Sequence, residues 1–152
     1  MPAGWRIDRP RRAAFSGEGA RRFGGRWNSP GVAVVYLSEY QSLAALEIFV
    51  HLRPLLPRDK FLAYRVEWDD ALMEQLPAKS LPVDWRASPA GPATMSLGDE
   101  WVRAAHTAVL AVPSTIVPAE RNFLLNPAHP DFPQLRIEKP IDFVFDPRII
   151  GR

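Results

Sequence analysis

The sequence contains no cysteine. Disulfides, thiolate nucleophiles and cysteine zinc sites are therefore excluded, and the absence agrees with a reducing cytoplasm as the expected location. No apolar run reaches the length that spans a bilayer. The N-terminal MPAGWRIDRPRR has charges but lacks the apolar stretch of a secretory signal. Charge of one sign is not in strong excess: the formal net charge is +2, so overall charge demands no nucleic-acid partner. Metal-site spacings are missing as well. His51, His106 and His129 lie far apart and no HExxH occurs, so no metal is expected. The familiar phosphate loops also fail. In GEGARRFGG the third glycine comes too late for GxGxxG, and Gly25 stands where a P-loop lysine belongs. Ser114 lies outside any GxSxG elbow.

What is present starts with proline, whose 16 residues are scattered along the chain. They imply many short elements separated by ordered loops. The length suits one domain over residues 1–152 with a real core. Arginines crowd the N-terminus: Arg6, Arg9, Arg11, Arg12, Arg21, Arg22 and Arg26 stand against Asp8 and Glu18. A solvated basic face accounts for that arm, and so does a surface for phosphate, nucleic acid or an acidic protein.

Residues 5–7 read as a short strand and residues 8–30 as a long loop. VAVVYL (32–37) is nearly all apolar, as in a strand covered on both faces. Ser38 and Gln41 form a capping-box pattern, and the helix QSLAALEIFVHL must stop near Arg53 because Pro54 follows. Residues 60–68 alternate, with Leu62, Tyr64, Val66 and Trp68 on one strand face. A short helix is expected over 70–76, a proline-rich loop over 81–92, and a helix over 93–106 that Gly98 weakens. Short apolar strands follow at 108–112, 122–126, 134–137 and 141–145. The order shows no regular βαβ alternation, so the expected class is α+β with one mixed β-sheet and flanking helices.

Three residues stand out. Glu47 sits in a helix that is apolar nearly all round, as a buried helix is, and a lone carboxylate there is costly to ionise. The helix alone does not choose between a functional site and a structural pair with His51 or an arginine. Tyr36 ends an apolar strand, and taken alone reads as core. Arg26 sits in GGRWNSPG, among residues otherwise suited to a turn. Their order matters more. Short connections bring a planar cation, an aromatic ring and a carboxylate to one edge of the sheet. A nicotinamide dinucleotide needs such a set: a guanidinium for pyrophosphate, a ring to stack on nicotinamide, and a carboxylate to hold a ribose hydroxyl and stabilise an oxocarbenium-like state.

FSGEGARRFGGRWNSPGVAVVYLSE, SLAALEIFVHL and VPSTIVPAERNFLLNPAHPDF closely resemble the RES domain family, over a motif-bearing core of about residues 5–145. The arginine, glutamate and serine that name the family fall on Arg26, Glu47 and Ser114. The resemblance implies an ADP-ribosyltransferase/diphtheria-toxin-like fold. It also implies a toxin of a bacterial toxin–antitoxin module, paired with an Xre-type antitoxin that covers the active site, contacts DNA on the pair's behalf and builds larger complexes. NAD would be substrate rather than cofactor, cleaved by hydrolysis or phosphorolysis. The expected catalytic set is Arg26, Tyr36, Glu47 and Ser114. Arg6, Gly25 and Asn122 join Arg26, Tyr36 and Ser114 in binding NAD. Two alternatives stand beside this: ADP-ribosyl transfer to a protein, and a non-enzymatic basic module binding nucleic acid through the arginine arm.

Overall fold

In the computed structural model, residues 1–10, 12–52 and 60–150 are described. Eight strands form one sheet: β1 (Ala3–Asp8), β2 (Val35–Ser38), β3 (Phe61–Glu67), β4 (Met73–Gln75), β5 (Val109–Pro113), β6 (Arg121–Leu125), β7 (Arg136–Ile137) and β8 (Ile141–Phe143). The order is β4-β5-β6-β2-β1-β3-β7, with β8 also paired to β3. Only β4 and β5 run parallel among these pairs, so the sheet is mixed. Four α-helices flank it: α1 (Glu18–Phe23), α2 (Gln41–Leu52), α3 (Pro92–Ala104) and α4 (Pro147–Ile150). This is the α+β architecture expected from the sequence.

The two sheet faces are covered differently. One carries Val35, Leu37, Val66, Trp68, Val109, Ala111, Phe123 and Leu125 in a continuous buried cluster, with Phe15, Met73 and Phe132 packed against it. The other carries two separate clusters. Ile7, Phe61, Ala63 and Phe145 pack with Ala44 of α2. Trp27, Val34, Leu110, Val112 and Leu124 pack with Trp101 of α3. Burying a Leu- or Phe-sized side chain is worth about 1.5–3 kcal/mol, so these clusters hold the two helices on that face. The strand period of two explains the division, since Val35 and Leu37 point one way and Val34 and Tyr36 the other.

Several sequence expectations are corrected. The stretch 8–30 is not all loop, because α1 lies inside it. The strand expected from Val32 begins at Val35. Ser38 is the last residue of β2 rather than a helix cap, and its hydroxyl accepts a hydrogen bond from the Asn122 amide. Helix α2 is not buried all round: Leu43 and Ala44 are buried while Leu46 and Val50 are exposed, because it covers only one sheet face. The stop near Arg53 lies outside the described residues. Phe61 and Ala63 of β3 are buried on the face opposite Val66 and Trp68, so this strand is covered on both sides. Residues 70–76 form a 3₁₀ turn (Asp70–Leu72) and then β4 instead of a helix. There, pairing with β5 overrides local helix propensity.

Gly98 lies in α3 for a packing reason. A Cβ there would lie 1.6 Å from the Trp27 carbonyl oxygen. Only glycine lets this helix sit directly on the backbone of the GGRWNSPG segment.

Candidate active site

The GGRWNSPG segment is a tightly fastened loop. Gly25 and Asn28 pair across it, with the Gly25 N–H donating to the Asn28 carbonyl at 2.9 Å. The Asn28 side chain is fully buried. Its Nδ2 donates to the carbonyls of Ala20 (2.8 Å), Val32 (3.0 Å) and Ser29 (3.3 Å), and its Oδ1 accepts from the Tyr36 hydroxyl at 2.6 Å. The same hydroxyl accepts from the Trp27 N–H at 3.1 Å. Burial therefore pushes the Tyr36 phenol well above its usual range, so it is a fixed neutral group. Gly25 makes room for it: a Cβ at Gly25 would lie 2.8 Å from the Tyr36 oxygen. From α3, Asp99 accepts from the Ser29 N–H (2.9 Å) and hydroxyl (2.6 Å).

Arg26, half-buried, projects from this loop. Its Nη1 donates to the carbonyls of Trp85 (2.9 Å) and Ala87 (2.7 Å). Among the described residues Nε and Nη2 make no hydrogen bond, which leaves a forked pair of donors for an anion.

Glu47 faces this group from α2. Burial raises its carboxyl above the usual range, against the opposing pull of His51, the Asn122 amide and the Arg26 guanidinium. The Glu47 carboxylate thus shares one field with Arg26 and one neighbour with β6. Asn122 Nδ2 also donates to the Leu37 carbonyl (3.3 Å) and the Ser38 hydroxyl (3.1 Å). Register accounts for this, since Ser38 pairs with Asn122. Tyr36 packs against the Trp27–Leu124 cluster on the helix-bearing face, and Glu47 interacts with both Arg26 and Asn122. Glu39 locks the junction of β2 and α2 by accepting from the Arg121 N–H (3.0 Å), Nε (3.1 Å) and Nη2 (2.9 Å).

Arg6 meets this group through backbone. Only Trp5 and Ser38 pair between β1 and β2, and beside that pairing Arg6 Nη1 donates to the Tyr36 carbonyl at 3.2 Å. Its Nη2 bonds Asp8 at 3.2 Å. Its Nε is buried without a partner among the described residues, and burial lowers its pKa. Ser114 is fully buried just past β5. Its hydroxyl oxygen accepts from the N–H groups of Ile116 (3.1 Å) and Val117 (3.0 Å), so it shapes a turn and retains one proton to donate.

Several contributors escape sequence inspection. Asn28 reads as a turn residue, Asp99 belongs to no motif, and the Trp85 and Ala87 carbonyls carry no side-chain signal. The NPAHPDF stretch serves structure: His129 accepts from the Asp131 N–H at Nδ1 (3.0 Å) and bonds the Ala105 carbonyl through Nε2 (2.9 Å). No cluster of three metal-binding side chains occurs among the described residues. None of their helices is long and apolar enough to cross a membrane. A cavity of about 410 Å³ lies elsewhere, lined by Glu39, Gln75, Leu81, Pro113, Glu120 and Arg121 among others, and includes none of Arg26, Tyr36 or Glu47.

The fold is similar to that of a chain in a solved M. tuberculosis MbcT–MbcA toxin–antitoxin complex. The TM-score is 0.76 at 20% identity, covering 94% of this chain and 84% of that one. At that identity the likeness shows the architecture alone. Sequence carries the assignment further. The RES domain matches residues 3–146. A Sphingobium protein described as a Prs ADP-ribosylating toxin is 43% identical over 142 residues, 91% of this chain and 88% of that protein. A Toxin Res of Yersinia enterocolitica is 40% identical over 138 residues, 90% of this chain and 91% of that protein. The chain belongs to the RES domain family, the toxins of RES–Xre toxin–antitoxin modules.

Proposed function

We propose that this protein is a toxin that breaks the nicotinamide–ribose bond of NAD and so depletes the cell of it. The observation that supports this most is the pairing of a fixed guanidinium with a desolvated carboxylate beside a locked tyrosine. Arg26 offers Nε and Nη2 to the pyrophosphate. The Tyr36 ring stacks on nicotinamide. Glu47, as carboxylate, holds a ribose hydroxyl and stabilises positive charge as the C–N bond lengthens. Nicotinamide leaves with the bonding electrons, and water or phosphate then forms the new bond to the ribose carbon. Asn122 keeps the Glu47 carboxylate oriented, and Arg6 and Gly25 complete the NAD site at the Tyr36 side. Ser114 donates its remaining proton toward the nicotinamide ribose or amide. NAD is consumed as substrate, and no metal or recycled cofactor takes part.

Purified protein mixed with NAD, with and without phosphate, tests the reading. Nicotinamide release is expected, and its absence under both conditions defeats the proposal. ADP-ribosyl transfer to a protein is favoured by one observation, the description of the Sphingobium relative as ADP-ribosylating. Labelled NAD separates the two: label on a macromolecule marks transfer, and free ADP-ribose or its phosphorylated form marks NAD loss. The partner of such a toxin is an Xre-type antitoxin seated over the cleft, consistent with the complex in which the structural neighbour was solved. Co-expression with that antitoxin is expected to relieve growth arrest. The cytoplasm is the compartment in which both NAD and this partner are met.

A further inference from the structure

We propose that the proline-rich segment of residues 81–91 is a clasp that sets the Arg26 loop and the Ser114 turn in one fixed relation, with Arg86 as its positioning residue. Four hydrogen bonds made by three consecutive residues carry this. The Arg86 guanidinium grips the Thr115 carbonyl with Nε (3.1 Å) and Nη2 (2.9 Å). The carbonyls on either side of it, Trp85 and Ala87, take both hydrogens of Arg26 Nη1. Two acceptors on one terminal nitrogen fix the plane of the Arg26 guanidinium, and its remaining donors then face a single direction.

The segment is stiff enough to transmit that relation. Two short turns shape it, with the Trp85 N–H donating to the Pro82 carbonyl (3.1 Å) and the Ala87 N–H to that of Asp84 (2.9 Å). The Trp85 ring packs into the cluster that holds Trp27 and Trp101. Thr115 follows directly on Ser114, whose hydroxyl shapes the next two residues. Arg86 is exposed and touches neither Glu47 nor Tyr36, so it acts only through the groups it ties together. The assignment of these groups to NAD rests on the function proposed above.

The test uses the full chain with Arg86→Ala and Arg86→Lys, and has two arms. In the first, amide hydrogen exchange is compared with the parent protein. Arg86→Ala is expected to speed exchange at Gly25, Trp27, Ile116 and Val117 while β3 stays protected. Unchanged exchange at Gly25 and Trp27 overturns the clasp. In the second, NAD turnover by Arg86→Ala is expected to show KM raised about five- to tenfold, as the Arg26 donors lose their fixed direction toward the anion. Its kcat should fall by less than KM rises, since Glu47 and Tyr36 are not tied to Arg86 and only the Ser114 turn loosens at the reacting end. Arg86→Lys keeps one donor and is expected to fall between the two. An unchanged KM in Arg86→Ala also overturns the proposal. If the parent protein consumes no NAD, the functional reading fails while the exchange arm still decides the clasp.

Discussion

The Arg26 loop and the α2 face that carries Glu47 hold their charged residue by different means. On the Arg26 side nearly every polar atom is spoken for. Asn28 alone engages four groups, Asp99 grips Ser29 twice, and the guanidinium is steered by two carbonyls. On the Glu47 side the hold is apolar: Leu43 and Ala44 are buried against the sheet, and the carboxyl sits where ionisation is disfavoured. A hydrogen-bonded wall fixes where a cation points. An apolar wall raises a carboxyl's proton affinity and strengthens its pull on positive charge once ionised. Substitutions on the first side should act on geometry and stability, and on the second on chemistry and pH dependence.

The largest effect is expected on the second side. Glu47→Gln should lower NAD turnover by about 10²–10³, the usual loss when one preorganised electrostatic group is removed, with little change in Tm. The pH behaviour is the sharper test. Because the folded carboxyl titrates above its ordinary range, the active carboxylate is lost as pH falls through that raised pKa, so the acid limb of kcat/KM, which reports the free enzyme, lies above the usual carboxylate range. The stability sign is opposite. A raised folded pKa means the contribution is fully present below the unfolded value and lost as pH rises through the folded one. Chemical unfolding across that window should show the parent weakening with rising pH and Glu47→Gln lacking that component.

On the first side, Gly98→Ala comes next. Its Cβ would meet a backbone carbonyl at 1.6 Å with the carbonyl carbon at 2.7 Å, and neither is the end of a flexible side chain. A loss of about 3 kcal/mol or more is expected by urea unfolding, from forced separation of α3 and the Arg26 loop. Asn28→Ala should cost about 2 kcal/mol, because the Val32 carbonyl loses its donor and the Tyr36 hydroxyl its acceptor. In both variants KM for NAD should rise along with the stability loss. A stability loss with unchanged KM would show that the loop's fastening does not govern how Arg26 binds.

How legible this was in the sequence differs between the two sides for the same reason. α2, the strand around residues 60–68 and the α+β class followed from periodicity, and Glu47 announced itself as a charge in an apolar helix. The order of elements and their short connections put Arg26, Tyr36 and Glu47 at one sheet edge, and the family motifs then added Ser114, which no spacing argument could do. The Arg26 wall resisted. Its fastenings are main-chain carbonyls and long-range pairs such as Ser29 with Asp99, and neither leaves a local pattern. Gly98, taken as a weakness in α3, is a packing requirement visible only once Trp27 lies beside it. The helix expected at 70–76 failed because the β5 edge offered those residues a better use for their N–H groups. The raised titration of Glu47 follows from tertiary burial, which the sequence suggested; the opposing pull of Arg26 and Asn122 comes from residues that only the tertiary fold brings near.

The smallest expected effect isolates one fastening. Asp99 accepts from Ser29 through both carboxylate oxygens, one bond to the backbone N–H and one to the hydroxyl. Asp99→Asn keeps an oxygen for one donor and removes the charge, whereas Asp99→Ala removes both acceptors. Partly exposed hydrogen bonds to a charged group are worth about 1 kcal/mol or somewhat more, so Asp99→Ala should lower stability by about 1–1.5 kcal/mol and Asp99→Asn by about half of that. If α3 braces the loop through this pair, Ser29→Ala should cost less than Asp99→Ala, because the Ser29 N–H still finds Asp99. The double variant should then cost no more than Asp99→Ala alone, since the hydroxyl bond is lost only once. Additive losses in that cycle would mean that Asp99 and Ser29 act separately. The fastening of the Arg26 wall would then have to reside in Asn28 and the Gly98–Trp27 contact.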